Sequence, residues 1–339
     1  MESPKFMLPL PQSFPPPGGS DGSIAPAMTP AQCRLCESTF VLRKVLPDGS
    51  AWCECNICGL TFVIPRDAQR DPVSVYSLAY AGRLQEAGLR DFFVKLVMRS
   101  DADAAGVPAW KMLNSAHRAS VAILRRGFPR GCTVFDIGCG GGYFLRAIRG
   151  LHYTPFGLDV AQPVVRLLRA EGFSVWHGTI DTVPAGWVDP QVCTSFFMIH
   201  HLADPVGFIR TVRQKFPHAL LVIAAHNDLD RPRRDVITDR ALPPRTYSWW
   251  GQKQLVLALQ RGGYRTFVEP LKAQPREGGP AAAMSVYSSL HHHAPALARR
   301  FLALYYDTLP VWGWPKALCM RARRFNKFLL VVGYPSGES

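Results

Sequence analysis

The 339-residue chain lacks any apolar run near the ~18 residues that a membrane-spanning helix needs. Its first residues, Met1-Glu-Ser-Pro-Lys5, lack the basic start and continuous apolar core of a secretory signal. The expectation is a cytoplasmic protein. Acidic residues are scarce, with 25 Asp and Glu against 39 Lys and Arg, a formal net charge of +14. That excess admits nucleic acid, anionic lipid or an acidic substrate as partner and does not choose among them. Much of it is dispersed arginine, as in Arg231-Pro-Arg233-Arg234 and Arg321-Ala-Arg323-Arg324, the composition of a solvated surface. Hydrophobic content of 47% with 19% charged residues excludes a chain disordered throughout and suits a globular enzyme. The length admits one main domain of about 200 to 250 residues plus an attachment.

What is present is organised in segments. Residues 1–30 are crowded with Pro, Gly and Ser, including Pro11-Gln-Ser-Phe-Pro15, a composition too poor in apolar side chains to offset ordering by burial. A disordered tail is expected there. Residues 31–65 hold short β-prone pieces around Pro47-Asp-Gly-Ser50, a hairpin turn signal. Residues 66–128 carry helical periodicity and read as a linker or lid. From residue 129 to 339, apolar strands alternate with amphipathic helices, which predicts a parallel sheet covered on both faces. A long connection over residues 275–325 reads as a helical insertion.

Two short patterns repeat in the first globular segment: Cys33-Arg-Leu-Cys36-Glu-Ser-Thr-Phe40 and Cys55-Asn-Ile-Cys58-Gly-Leu-Thr-Phe62. Each offers two thiolates from one turn, and Cys33, Cys36, Cys55 and Cys58 together fit a tetrahedral, structural Zn²⁺. Cys53 competes for the third position, and the matching Phe62 selects Cys55. A cytosolic chain keeps its thiols reduced, which disfavours disulfides.

The most informative stretch is Val134-Phe-Asp136-Ile-Gly138-Cys-Gly140-Gly-Gly142-Tyr143, a buried-strand pattern running into a glycine loop and a helix start. A second apolar run ends on Asp159. Strand, glycine turn, helix and an acid closing the next strand form a nucleoside-binding half of a doubly wound sheet, with Asp159 accepting from ribose hydroxyls. Tyr143 stands where a G-x-G-x-x-G nicotinamide loop has its last glycine, which disfavours a dehydrogenase.

With these motifs the chain resembles the class I S-adenosylmethionine-dependent methyltransferases over roughly residues 70–335. The resemblance implies a Rossmann-like α/β fold with a doubly wound, mostly parallel seven-stranded sheet, preceded by the small zinc-binding β module. It implies S-adenosylmethionine as cofactor, held by Asp136, Gly138, Gly140, Gly142, Asp159, Ile180, Asp181 and Phe197. The segment His200-His201-Leu-Ala-Asp204-Pro205 is close to a pattern of the small-molecule branch, with His200 in place of a usual glutamate. Tyr247, Trp249 and Trp250 look like that branch's acceptor-side segment, and Tyr76 and Tyr80 like its aromatic lid.

Methyl transfer from a sulfonium needs alignment, exclusion of water and, for an acceptor that keeps its proton, a base. His200 and His201 are the candidates, and His200 is favoured because an imidazole titrates near neutral pH. Both histidines also suit plain hydrogen bonding in a turn, and the three aromatics suit a packed helix start. His291-His-His293 reads as solvated surface. A small-molecule or sugar-like acceptor leads; RNA, suggested by the zinc knuckles and the positive charge, is the alternative, and a non-catalytic scaffold of the same fold is a third.

Overall fold

The computed structural model describes residues 32–45, 49–64, 113–229, 246–271 and 328–335, with helical pieces around residues 296–301. The tail over residues 1–30, Tyr76, Tyr80, His291 to His293 and most of the segments 66–128 and 275–325 lie outside the described residues.

Two sheets organise the described chain. The smaller has four strands in the order β1-β2-β3-β9, made from Phe40–Val45, Ala51–Cys55, Thr61–Ile64 and Ser248–Trp249. The hairpin β1–β2 forms around the turn that the sequence signals, with Val45 opposite Ala51. The seven-stranded sheet holds β4 (Thr133–Ile137), β5 (Thr154–Asp159), β6 (Ser174–His177), β7 (Val192–Phe196), β8 (Leu220–His226), β10 (Tyr264–Val268) and β11 (Phe328–Pro335). Its order is β10-β11-β8-β7-β4-β5-β6. Strands β4 to β8 pair in parallel, and β11 enters antiparallel between β8 and β10.

Among the described residues, five complete helices accompany the sheet: α1 (Ser115–Gly127), α2 (Tyr143–Arg149), α3 (Gln162–Ala170), α4 (Pro205–Lys215) and α5 (Gln252–Arg261). Their starts have local causes. Asn114 caps α1 by accepting the His117 N–H at 3.0 Å. Asp204 caps α4 by accepting the Gly207 N–H at 2.8 Å, and Pro205 at the first helical position gives up no intrahelical bond. The Asp-Pro pair of the sequence motif is thus a helix-start device.

Alternate residues of the central strands feed opposite cores, as the two-residue strand period requires. Phe135, Ile137, Cys193, Leu221 and Ile223 face α4 and α5. Val134, Val192, Leu220, Val222 and Ala224 face α1 and α2. The first of these cores continues without a break into the small sheet through Cys33, Leu35, Cys53, Leu60, Phe62 and Trp250.

Strand β9 is the element that the sequence pattern does not announce. Two residues carry no periodicity, and the strand exists only because it docks antiparallel on β3, placing Thr61 opposite Trp249 and Phe62 opposite Ser248.

Candidate functional site

Strands β4, β5 and β6 run outward in one direction from the centre of the large sheet, and β7 and β8 in the other, so the switch point lies between β4 and β7. Ligands of open α/β sheets bind beyond the carboxyl ends of strands at such a point. The glycine loop leaves β4 there. Gly138, Gly140 and Gly142 have φ of +78°, +49° and +72°, a left-handed region that a side chain makes costly. A Cβ on Gly138 would lie 2.8 Å from the Met198 sulfur, and one on Gly142 would fall inside the Leu168 side chain.

Two buried carboxylates lie at this loop, and one of them braces it. Asp159 accepts the Gly140 N–H through Oδ2 and the Ala161 N–H through Oδ1, both at 2.8 Å. Each oxygen keeps a second lone pair for a ligand hydroxyl. Asp136, on β4, accepts the Thr194 hydroxyl at 2.8 Å. Burial pushes the Asp136 carboxyl up to about 7, the Thr194 hydrogen bond opposes this, and the neighbouring Asp159 charge adds to it. Asp159 is also raised by burial, against the stabilising N–H groups of Ala161 and Gly140. Glycine backbone open to a ligand, two carboxylates and the next strand end fit a cationic nucleoside such as S-adenosylmethionine.

After β6 the chain enters a 3₁₀ turn over Ile180–Thr182. Ile180 is buried beneath it, and Asp181 is exposed with its Oδ1 3.4 Å from the Thr211 hydroxyl. Beyond β7, Phe197 adopts φ +57°, a strained setting for an aromatic residue, held by its N–H on the Ala224 carbonyl at 2.8 Å. A second 3₁₀ turn, Ile199–His201, follows. His200 is buried and His201 half-buried, with ring centroids 3.9 Å apart.

Sequence reasoning missed a third imidazole at this edge. His226 ends β8 with its ring 5.4 Å from His200, 4.9 Å from Phe197 and 5.4 Å from Phe328. His117 of α1, 4.3 Å from Phe196 and 6.2 Å from Phe197, joins the same ring cluster. A histidine ending the fifth alternating strand was a usable signal for His226. His117 lies about 80 residues before His200 in sequence and had none.

The aromatic segment after β8 divides. Trp250 is fully buried, its indole N–H on the Ser248 hydroxyl at 2.9 Å, and it is a packing residue rather than part of an acceptor wall. Trp249 packs its ring tilted against Trp52 of the same small sheet, with centroids 4.2 Å apart. Tyr247 is buried, donates its N–H to the His200 carbonyl at 2.8 Å and accepts the Val63 N–H at 2.9 Å. The family resemblance suggested an acceptor wall for these three and their residue types equally a packed helix start; docking of β9 draws Trp249 and Trp250 to the small sheet, which favours the packing role for both.

The metal ligands do converge. The Sγ atoms of Cys33, Cys36, Cys55 and Cys58 all lie within 4.8 Å of one another. Tetrahedral Zn–S bonds of about 2.3 Å require sulfurs about 3.8 Å apart, and the closest pairs here are 3.6 and 3.4 Å. The N–H groups of Leu35, Ile57 and Cys58 point at ligand sulfurs, the second layer that thiolates need. A bond from Cys58 holds the Cys33 thiol down to about 5, against burial. Cys53 stays apart, its S–H on the Ala51 carbonyl at 3.6 Å, and burial pushes it up to about 11. Four thiolates fit structural Zn²⁺ and leave no coordination position open.

The knuckles are fastened to the large domain by side chains. Gln254 donates to the Cys58 carbonyl at 2.7 Å and Arg261 to the Cys36 carbonyl at 3.3 Å. Arg34, between two ligands, donates to the Ala203 carbonyl at 3.0 Å, beside the His200–His201 turn.

Among the described residues, no helix is long and apolar enough to cross a membrane. Residues 112–267 match the model of a methyltransferase domain. No curated protein matches the chain. Among solved structures, the putative methyltransferase in complex with the Trm112 methyltransferase activator from Haloferax volcanii is 20% identical, covers 66% of this chain and 91% of its own, and has a TM-score of 0.44. An S-adenosylmethionine-dependent methyltransferase from Mesorhizobium loti is 18% identical over 64% of this chain and 97% of its own, with a TM-score of 0.41. Phosphoethanolamine N-methyltransferase 2 of Haemonchus contortus is 15% identical over 81% of this chain and 62% of its own, with a TM-score of 0.47.

Proposed function

We propose that this chain is a class I S-adenosylmethionine-dependent methyltransferase that delivers its methyl group to a small-molecule or sugar-like acceptor seated against His200, His201 and His226. The observation that carries the reading is the composition of that edge. The rings described there, Phe197, His200, His201, His226 and Phe328, form one cluster of aromatic and imidazole faces, with the Arg34 guanidinium engaged by the Ala203 carbonyl beside it. Such a surface favours a compact, largely neutral acceptor over a polyanion.

The cofactor supplies an electrophilic methyl on a sulfonium, whose departure leaves a neutral thioether. The protein's part is to hold and orient. Gly138, Gly140 and Gly142 give the loop its close-approach backbone, Asp159 offers ribose acceptors, and Asp181 stands at the turn beside the adenine position. His200 takes the proton of an acceptor hydroxyl at an imidazole nitrogen. His201, its half-exposed ring tilted against that of His200, lies on the side from which the proton returns to solvent. The net charge of +14 supports RNA as the second reading.

The deciding experiment is transfer of labelled methyl into a cell extract that is then split into RNA, protein and small-molecule fractions. Label in the small-molecule fraction is expected, and label confined to RNA overturns the reading. A His200→Gln variant should keep S-adenosylmethionine binding by calorimetry while losing the acid limb of the transfer pH profile. No cofactor binding by the zinc-loaded parent protein would sink both enzyme readings.

A further inference from the structure

The turn over residues 198–204 carries both histidines; its Met198 and Ile199 carbonyls are satisfied by the turn itself, whereas those of His200 and Ala203 accept from residues tied to the zinc module. The His200 carbonyl accepts from Tyr247 at 2.8 Å, and the Tyr247 carbonyl accepts in turn from Val63 of β3 at 2.9 Å. The Ala203 carbonyl accepts from Arg34 at 3.0 Å. Arg34 lies in the first knuckle between Cys33 and Cys36, and β3 follows directly on the second knuckle. A short turn with few internal bonds takes its position from whatever satisfies its carbonyls. Here both ties lead back to the metal knuckles.

The glycine loop meets the turn at Met198, beside Gly138, but its own hydrogen bonds have no such dependence. Gly138 and Cys139 donate to the Leu158 carbonyl at 2.8 and 2.9 Å, and Gly140 donates to Asp159, all within the large domain. The cofactor half and the acceptor half of the site are therefore anchored to different parts of the chain.

We infer that the zinc module positions the acceptor side: Arg34 and the β3–Tyr247 link set the His200–His201 turn, so that filled knuckles govern methyl transfer but not S-adenosylmethionine binding. The inference rests on the methyltransferase reading of the site, and Arg34 acts through the turn, as a positioning residue. A geometric shift of the order of 1 Å at a reacting centre costs about 100-fold in rate.

The test uses the full chain loaded with zinc and carrying Arg34→Met, which keeps the apolar stem and removes the donor fork. The metal content should stay at one zinc per chain, and S-adenosylmethionine affinity should stay within about twofold. The histidine ring NMR signals of His200 and His201 should move, and hydrogen exchange at the Tyr247 amide should quicken about tenfold, because the turn that accepts its bond has loosened. Arg34→Lys, which retains a donor, should restore most of the parent spectrum. Unmoved histidine signals with unchanged Tyr247 exchange overturn the inference. A variant that loses zinc also overturns it, since Arg34 would then serve the knuckle rather than the turn. If the parent does not bind S-adenosylmethionine, the site reading fails by itself, and the spectra still report whether Arg34 holds the turn.

Discussion

Gly142→Ala separates a glycine required by backbone geometry from one that is merely tolerated. Gly142 closes the loop and precedes α2 at φ +72°, where an L-side chain costs about 1–2 kcal/mol. The added Cβ would overlap the fully buried Leu168 of α3, with Leu168 Cδ1 and Cγ also at 3.3 Å. Overpacking at a buried position costs about 1–3 kcal/mol, so the total is roughly 2–5 kcal/mol. Urea unfolding should show that loss as a lower midpoint at an unchanged slope. A double-mutant cycle isolates the clash. Leu168→Ala alone should cost about 2–5 kcal/mol. Combined with Gly142→Ala it should cost less than the sum, by about 1–3 kcal/mol, because the truncated side chain makes room for the methyl. Calorimetry should find S-adenosylmethionine binding weakened in Gly142→Ala, since the loop has to shift to relieve the contact. A loss under about 0.5 kcal/mol, or strict additivity with Leu168→Ala, would refute the claim that α3 sets the floor of the loop.

Asp136→Asn keeps an acceptor for the Thr194 hydroxyl and removes a titrating group. Burial raises the folded carboxyl from 3.8 to about 7, so between those pH values the folded state holds a proton that the unfolded state has released, and stability falls as pH rises through that window. The variant should therefore gain on the parent by up to roughly 4 kcal/mol between pH 4 and pH 8, at about 1.36 kcal/mol per unit, and a constant gap in urea unfolding would contradict this. Cys55→Ser should lower bound zinc well below one per chain by metal analysis, while Cys53→Ser, apart from the cluster, should leave it intact; the reverse would reassign the ligand. Truncating Trp52 and Trp249 separately and together should reveal a coupling of about 0.5–1.5 kcal/mol between β2 and β9 of the small sheet, and zero coupling would deny that the ring contact helps to hold β9 there.

The parts of the fold that repeat a local rule were legible in the sequence. Alternating buried strands and amphipathic helices announced the doubly wound sheet, and the seven strands lie where the apolar runs stand. Asp204-Pro205 read as part of a family pattern and is, physically, a cap and first residue of α4. The paired C-x-x-C spacings named the four sulfurs that meet, because two residues between cysteines place both thiols in one turn whatever surrounds them. Less legible were features made by long-range docking. Trp249 and Trp250 carried the same aromatic signal as acceptor-lining residues, and only pairing of β9 with β3 turns them to the small sheet.

The amino-acid order therefore determined the glycine-loop half of the candidate site, since the glycines that adopt positive φ, the acid closing β5 and the capped helix starts are local in cause. Tertiary structure alone brought together the imidazole cluster. His117, His200 and His226 come from α1, the turn after β7 and the end of β8, and the turn is tied to Arg34, 169 residues from Ala203. A contact across that separation leaves no period or spacing in the chain; it arises from the order of strands in the sheet and from the burial of one core shared by the knuckles and the large domain.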